Sequence, residues 1–191
     1  MIPFISLIRG INVGGHKKIT NDALRALYEG LGFEKVQIYI QSGNVVFQSI
    51  ESDTLLMESK IEAEIQRVFG FSVRVFLRTA QEWASILNNN PFLKNRNEDE
   101  TKLHVTFISE IPAEIAMKEW GKVKDPLDEA VVVGREIFIF CPNGYGRTKF
   151  SNNFLEKKLK VAATTRNWKT IQKLAEMATQ IIGTSEKHAI Y

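Results

Sequence analysis

The chain has 191 residues, 44% of them hydrophobic and 25% charged, with a formal net charge of +3 and one cysteine. That composition is ordinary for a globular protein, and at this length about 70% of the chain's surface is buried on folding. Cys141 has no second cysteine to pair with, so a disulfide scaffold is excluded. No apolar run reaches the length of a membrane span, and the start of the chain lacks the basic lead of a secretion signal. The expected location is the cytoplasm.

The first stretch, 2–9, reads as a buried strand. A glycine-rich loop follows over 10–19, then a helix from about Thr20 with Leu24, Leu27, Tyr28 and Leu31 on one stripe. Strands are expected at Val36–Gln41 and Asn44–Gln48, across a Ser42-Gly43 turn. A helix is expected over 53–69, and a strand over 71–77 from the alternation of Phe71, Val73, Val75 and Leu77. Thr79 and Glu82 have capping-box spacing and open a short helix over 79–88.

The second half repeats the order. A strand is expected at 103–108, a helix from Pro112 to about Trp120, and two strands at 129–133 and 136–140 across Gly134-Arg135. Ser151 caps a helix to Leu159, a strand covers 160–165, and an amphipathic helix covers 170–182, with a frayed tail from Gly183. The expected class is therefore α+β: two tandem ferredoxin-like (βαββαβ) repeats, each followed by an additional helix. The boundaries are 1–90 for the first repeat, 91–102 for a linker rich in Asn and charge, and 103–191 for the second repeat. One continuous α+β domain with a larger mixed sheet is the alternative.

Four polar stretches compete for function. In Arg9-Gly10-Ile11-Asn12-Val13-Gly14-Gly15-His16-Lys17, three glycines between strand and helix can expose backbone amides as an anion nest. Alternatively, Gly14-Gly15 is a tight turn that Asn12 ties down. Neither a nucleotide P-loop nor a dinucleotide fingerprint is present. Gln41 and Asn44 flank the second turn and serve either the turn or a ligand. Asn143-Gly144-Tyr145-Gly146-Arg147-Thr148-Lys149 combines glycine mobility, an aromatic face and two cations. Arg166 and Asn167 precede the last helix, and Trp168 packs it to the core.

The candidate ligand set is therefore Arg9, Asn12, Gly14, Gly15, His16, Lys17, Gln41, Asn44, Asn143, Tyr145, Arg147, Lys149, Arg166 and Asn167. No metal site and no cofactor are expected, since His16, His104 and His188 are scattered and lack ligand spacing. His104 is expected to pack or point outward, and Cys141 to be a small partly buried residue.

Several motifs resemble a known bacterial family, domain of unknown function 1697. They are Leu7–Ile19, Tyr39–Phe47, Gly146-Arg147-Thr148-Lys149, and Thr165-Arg166-Asn167-Trp168 with Thr170 leading to Leu174. The resemblance covers essentially the whole chain in order. It implies two ferredoxin-like repeats and carries no established reaction, cofactor or substrate.

The leading functional expectation is binding of a small anionic or nucleotide-like ligand in a basic cleft formed by the glycine-rich loops. An enzyme acting on a phosphorylated or nucleotide-like substrate comes second, with His16 as its acid or base. Single-stranded nucleic-acid binding comes third, on sheet aromatics such as Phe47, Phe138 and Phe140. A protein-interaction module comes last. No membrane partner is expected, and the oligomeric state stays open.

Overall fold

The computed structural model describes residues 1–94 and 96–186. It is a mixed α+β protein with two four-stranded antiparallel sheets and several helices. The chain divides into two compact units, one of Met1–Ser85 with the chain from Lys173 onward, the other Ile86–Gln172. The last helix runs from the second unit into the first. There the Ile181 carbonyl accepts from Lys35 Nζ at 3.1 Å and Gln48 Nε2 at 3.3 Å, both in the first unit.

The first unit runs β1 (Ile2–Ile8), α1 (Asn21–Gly30), β2 (Glu34–Tyr39), β3 (Asn44–Ser49), α2 (Thr54–Phe69), β4 (Val75–Thr79) and α3 (Ala80–Asn88). Its sheet order is β2-β3-β1-β4. The core forms where α1 and α2 cover one sheet face. Phe47 lies at its centre, 4.4 Å from the Phe33 ring and 5.4 Å from Tyr28, edge-on. The Tyr28 hydroxyl is buried but satisfied by Ser6 Oγ at 2.7 Å, as burial in an apolar core requires.

Thr20 and Asp53 cap α1 and α2 through the backbone N–H groups of Ala23 and Leu56. Thr79 and Glu82 form the reciprocal capping box, at 3.1 and 2.8 Å. The strand expected at 71–77 is displaced to Val75–Thr79. Its partner β1 ends at Ile8, so pairing stops at Ile8 opposite Val75. Phe71 and Val73 alternate as a strand would, yet pack on the core from outside the sheet. Similarly β2 is shifted toward Glu34, bulged near Lys35 (φ 51°) and ended by Ile40 (φ 49°), which leaves Gln41 in the turn.

The second unit adds a helical turn α4 (Pro91–Lys94), then β5 (Leu103–Ile108), α5 (Glu114–Trp120), β6 (Glu129–Val133), β7 (Glu136–Phe140), α6 (Asn152–Leu159), β8 (Ala163–Asn167) and the start of α7 (Trp168–Glu186), whose residues from Lys173 belong to the first unit. Its sheet order is β6-β7-β5-β8. Ile108, Ile137, Ile139 and Ala163 pack against Leu155 and Leu159 of α6 and Phe150 before it. Around α4, Phe92 is buried, and Arg96 spans Glu98 at 2.6 Å and Glu129 at 2.7 Å.

Three expectations here are corrected. The strand expected at 160–165 runs over 163–167, because Lys160 is the left-handed cap of α6 (φ 60°) and Asn167 still pairs with His104. The last helix begins at Trp168 and continues past Gly183 to Glu186. The helix expected from Pro112 begins at Glu114. The remaining tail, with His188, lies outside the described residues.

Both sheets have a covered edge. The outward amides of β4, at Val75 and Leu77, donate to Glu62 and Glu58 of α2 at 2.8 and 2.7 Å. The amide of Ala163 in β8 donates to Glu156 of α6 at 2.8 Å. An edge amide held by a helix carboxylate is not a template for another strand.

Candidate functional site

In the first unit the glycine loop folds back on itself. Val13-Gly14-Gly15-His16 is a hairpin turn with φ of 59° and 81° at its two glycines, closed by His16 N–H to the Val13 carbonyl at 3.0 Å. Positive φ at both central positions defines the primed turn that only glycine or asparagine takes cheaply. Asn12 itself sits at φ 57°. Its amide nitrogen donates to the carbonyls of Ile19 and Gln41, and its oxygen accepts from Ile19 N–H, all at 2.9 Å. Asn12 thus joins the loop to the 40–43 turn, and the two sequence motifs of this unit meet through it.

The remaining residues divide clearly. Asn44 is fully buried and locks its turn, donating to Tyr39 O and Ser42 Oγ. Gly43 sits so near Ile8 that an added Cβ would lie 2.9 Å from the Ile8 carbonyl. Lys17 reaches away to the Ser72 carbonyl at 2.7 Å and lies over the Phe71 ring. Arg9 is half-buried at the end of β1, and its amide donates to Arg74 O. His16 is exposed on the turn. A hollow of about 290 Å³ lies beside these, walled by Asn12, Gly15, Lys18, Thr20 and Gln41. The Gly14 and Gly15 amides are exposed and make no hydrogen bond among the described residues.

In the second unit the loop after β7 is bolted down by side chains. The Tyr145 hydroxyl donates to Thr165 Oγ1 at 3.0 Å, and Thr165 donates to Asn152 Oδ1 at 2.7 Å. The one Thr165 proton is then used, so Thr106, 2.7 Å away, donates to it. The Tyr145 ring stacks on His104, with centroids 4.6 Å apart. Burial raises the Tyr145 phenol and lowers the His104 imidazole, so both stay neutral near pH 7.

Lys149 pairs with Asp125 at 3.3 Å and donates to the Lys124 carbonyl. Asp125 is held below the usual carboxylate range, first by the amides of Asp128 and Leu127. Arg166 is half-buried in β8. It donates to Thr164 Oγ1 and Thr165 O, and burial lowers its guanidinium to about 10. Asn167 Oδ1 caps α7 by accepting from Thr170 N–H at 2.8 Å. Asn143 and Arg147 are exposed, and Arg147 has no side-chain partner among the described residues. Burial pushes the Cys141 thiol up to about 11, which is wrong for a nucleophile.

Sequence reasoning missed the polar face of the second sheet. His104 and Thr106 alternate on β5 and share that face, a period-two signal that was present in the sequence. It also missed Thr20, read only as a helix cap, as a wall of the first hollow. Of the sheet aromatics weighed for nucleic acid, Phe47 and Phe138 are buried, at 0% and 2% exposure, and Phe140 is half-buried. Among the described residues no three His, Cys, Asp or Glu side chains gather as a metal site, and no helix is long and apolar enough to cross a membrane.

These features describe an α+β protein whose glycine-turn motifs organise loops at the ends of two antiparallel sheets. The chain belongs to the family described as protein of unknown function (DUF1697), whose pattern matches residues 1–138. Its late motifs at 146–149 and 165–174 lie beyond that match. It is similar to a solved structure of a conserved bacterial protein from Streptococcus pneumoniae, with 27% identity and a TM-score of 0.75. The similarity covers 93% of this chain and 98% of the other. No curated protein matches the chain.

Proposed function

We propose that the protein binds a small anionic or nucleotide-like ligand at the glycine turn of its first unit. One observation carries this reading. Two adjacent exposed amides, of Gly14 and Gly15, are left unbonded beside a hollow that Lys18 helps to wall. Thr20 lies on the same wall and begins α1, so the first-turn amides add positive potential there. His16 is exposed on the same turn, and Asn12 and Gln41 shape the hollow. Asn143, Tyr145, Arg147, Lys149, Arg166 and Asn167 belong to the other unit. Of these, Arg147 alone among the cations presents an exposed guanidinium without a partner among the described residues.

We further read each half as a ferredoxin-like repeat. The matching element order, the matching sheet order and the shared carboxylate-to-edge contact support that reading.

The test is a thermal-shift titration with inorganic phosphate and adenosine monophosphate. A ligand at 100 times its dissociation constant stabilises by about 2.7 kcal/mol. A rise in melting temperature that vanishes in Lys18→Ala and Gly15→Val supports the site. No rise with either probe, or a rise that both variants retain, refutes it.

A further inference from the structure

We propose that the hollow at the start of α7 is a separate binding site that takes a planar heteroaromatic ring of nucleobase size. The hollow has a volume of about 550 Å³, within the range of small-molecule sites. Its wall is built from four elements within the second unit. His104 comes from β5 and stands directly across the strand pair from Asn167 of β8. Trp168, Lys169 and Gln172 come from the first turns of α7, and Glu100 from the helical turn before β5. Gln172 Nε2 donates to Glu100 Oε2 at 2.9 Å, which ties two of these walls together.

Two wall residues carry buried nitrogens that nothing satisfies. Trp168 is 2% exposed, and its Nε1 has no hydrogen-bond partner among the described residues. His104 Nδ1 is likewise buried and unpartnered. More than nine in ten buried polar groups in native proteins are paired, and leaving one unpaired is destabilising. Two such groups, carried by residues that line one hollow, are the sign that a ligand there would supply the missing polarity.

The donor and acceptor pattern selects the ligand class. Indole Nε1 is a donor only. Asn167 spends its oxygen on the Thr170 amide, which leaves its amide nitrogen as a donor. Glu100 supplies an acceptor, and the Lys169 ammonium stands at the wall. An inorganic anion would face the Glu100 carboxylate and mostly apolar walls. A plain hydrocarbon ring would leave Trp168 Nε1 and His104 Nδ1 unpaired. A flat ring bearing both acceptors and donors meets all of these. The His104 ring is already held by its stack on Tyr145, so it offers a fixed aromatic face at little ordering cost.

All of these residues lie in the second unit, so the inference does not rest on the glycine-turn site. The experiment follows the indole N–H signals of ¹⁵N-labelled protein during titration with adenine, uracil and inorganic phosphate. Trp120→Phe and Trp168→Phe assign the signals. The Trp168 signal is expected to move and saturate with a base and to stay still with phosphate. Gln172→Phe, at a half-exposed position on the wall, should weaken the adenine response about tenfold, worth about 1.4 kcal/mol, with an unchanged melting temperature. His104→Phe keeps the ring on Tyr145 but removes its nitrogens, and should weaken it too. A Trp168 signal that ignores both bases, or one that moves equally in both variants, overturns the proposal. Movement of the Gly14 and Gly15 amides with phosphate reads the other site independently.

Discussion

The two units share a sheet order but elaborate it at different places. In the first, the long loop leaves the C-terminal end of β1; in the second, it leaves the C-terminal end of β7, the counterpart of β3. β1 and β3 are antiparallel, as are β5 and β7. The glycine loops therefore spring from opposite ends of a common sheet plan. They are also held by different chemistry. Asn12 bonds only backbone groups and leaves the turn amides facing solvent, whereas Tyr145, Thr165 and Lys149 hold the second loop through side chains and an ion pair. Glycine with asparagine and lysine thus signals an open backbone in one unit and a fastened loop in the other.

Replacing Asn12 breaks that comparison most forcefully. Asn12→Ala removes three hydrogen bonds and places alanine at φ 57°. A loss of about 2 kcal/mol is expected in urea unfolding, together with loss of any ligand response at Gly14 and Gly15. A wild-type midpoint in this variant would show that the loop is not pinned through Asn12. In the second unit, Tyr145→Phe keeps the stack on His104 and removes one hydroxyl. Thr165 retains Thr106 and Asn152, so the expected cost is about 1 kcal/mol. A larger cost than that of Asn12→Ala would reverse the ranking of the two anchors.

Much of the fold was legible because short-range chemistry agreed with the final packing. The β6–β7 hairpin around Gly134, the Thr79–Glu82 box and the Ser151 cap each depend on neighbours within a few residues. The strands that shifted, β2, β4 and β8, are all edge strands; the limits of β4 and β8 depend on the distant strands β1 and β5, and those of β2 on its bulge and the left-handed Ile40. Phe71 and Val73 illustrate this: their alternation is real, but β1 has no residues left to pair with them. At the sites, residue types were visible and availability was not. Nothing local to Lys149 announces Asp125 twenty-four positions earlier, and nothing local to Asn44 announces its full burial. Conversely, His104 looked like packing because its neighbours Tyr145 and Trp168 come from later in the chain.

The smallest expected effect concerns pH. His104 is held below its ordinary value of 6.5, first by desolvation. The unfolded chain therefore binds its proton at a higher pH than the folded chain does, and stability rises with pH across that interval. The contribution is fully present above about 6.5 and is lost as pH falls from there toward the folded value. Urea midpoints compared at pH 7.5 and pH 5.5, values chosen to straddle the ordinary imidazole range of about 6.5, should fall in the wild type and fall less in His104→Gln. An equal fall in both proteins would mean that the imidazole against Tyr145 is hydrated, and the second hollow would then lack the dry wall on which its ligand chemistry depends.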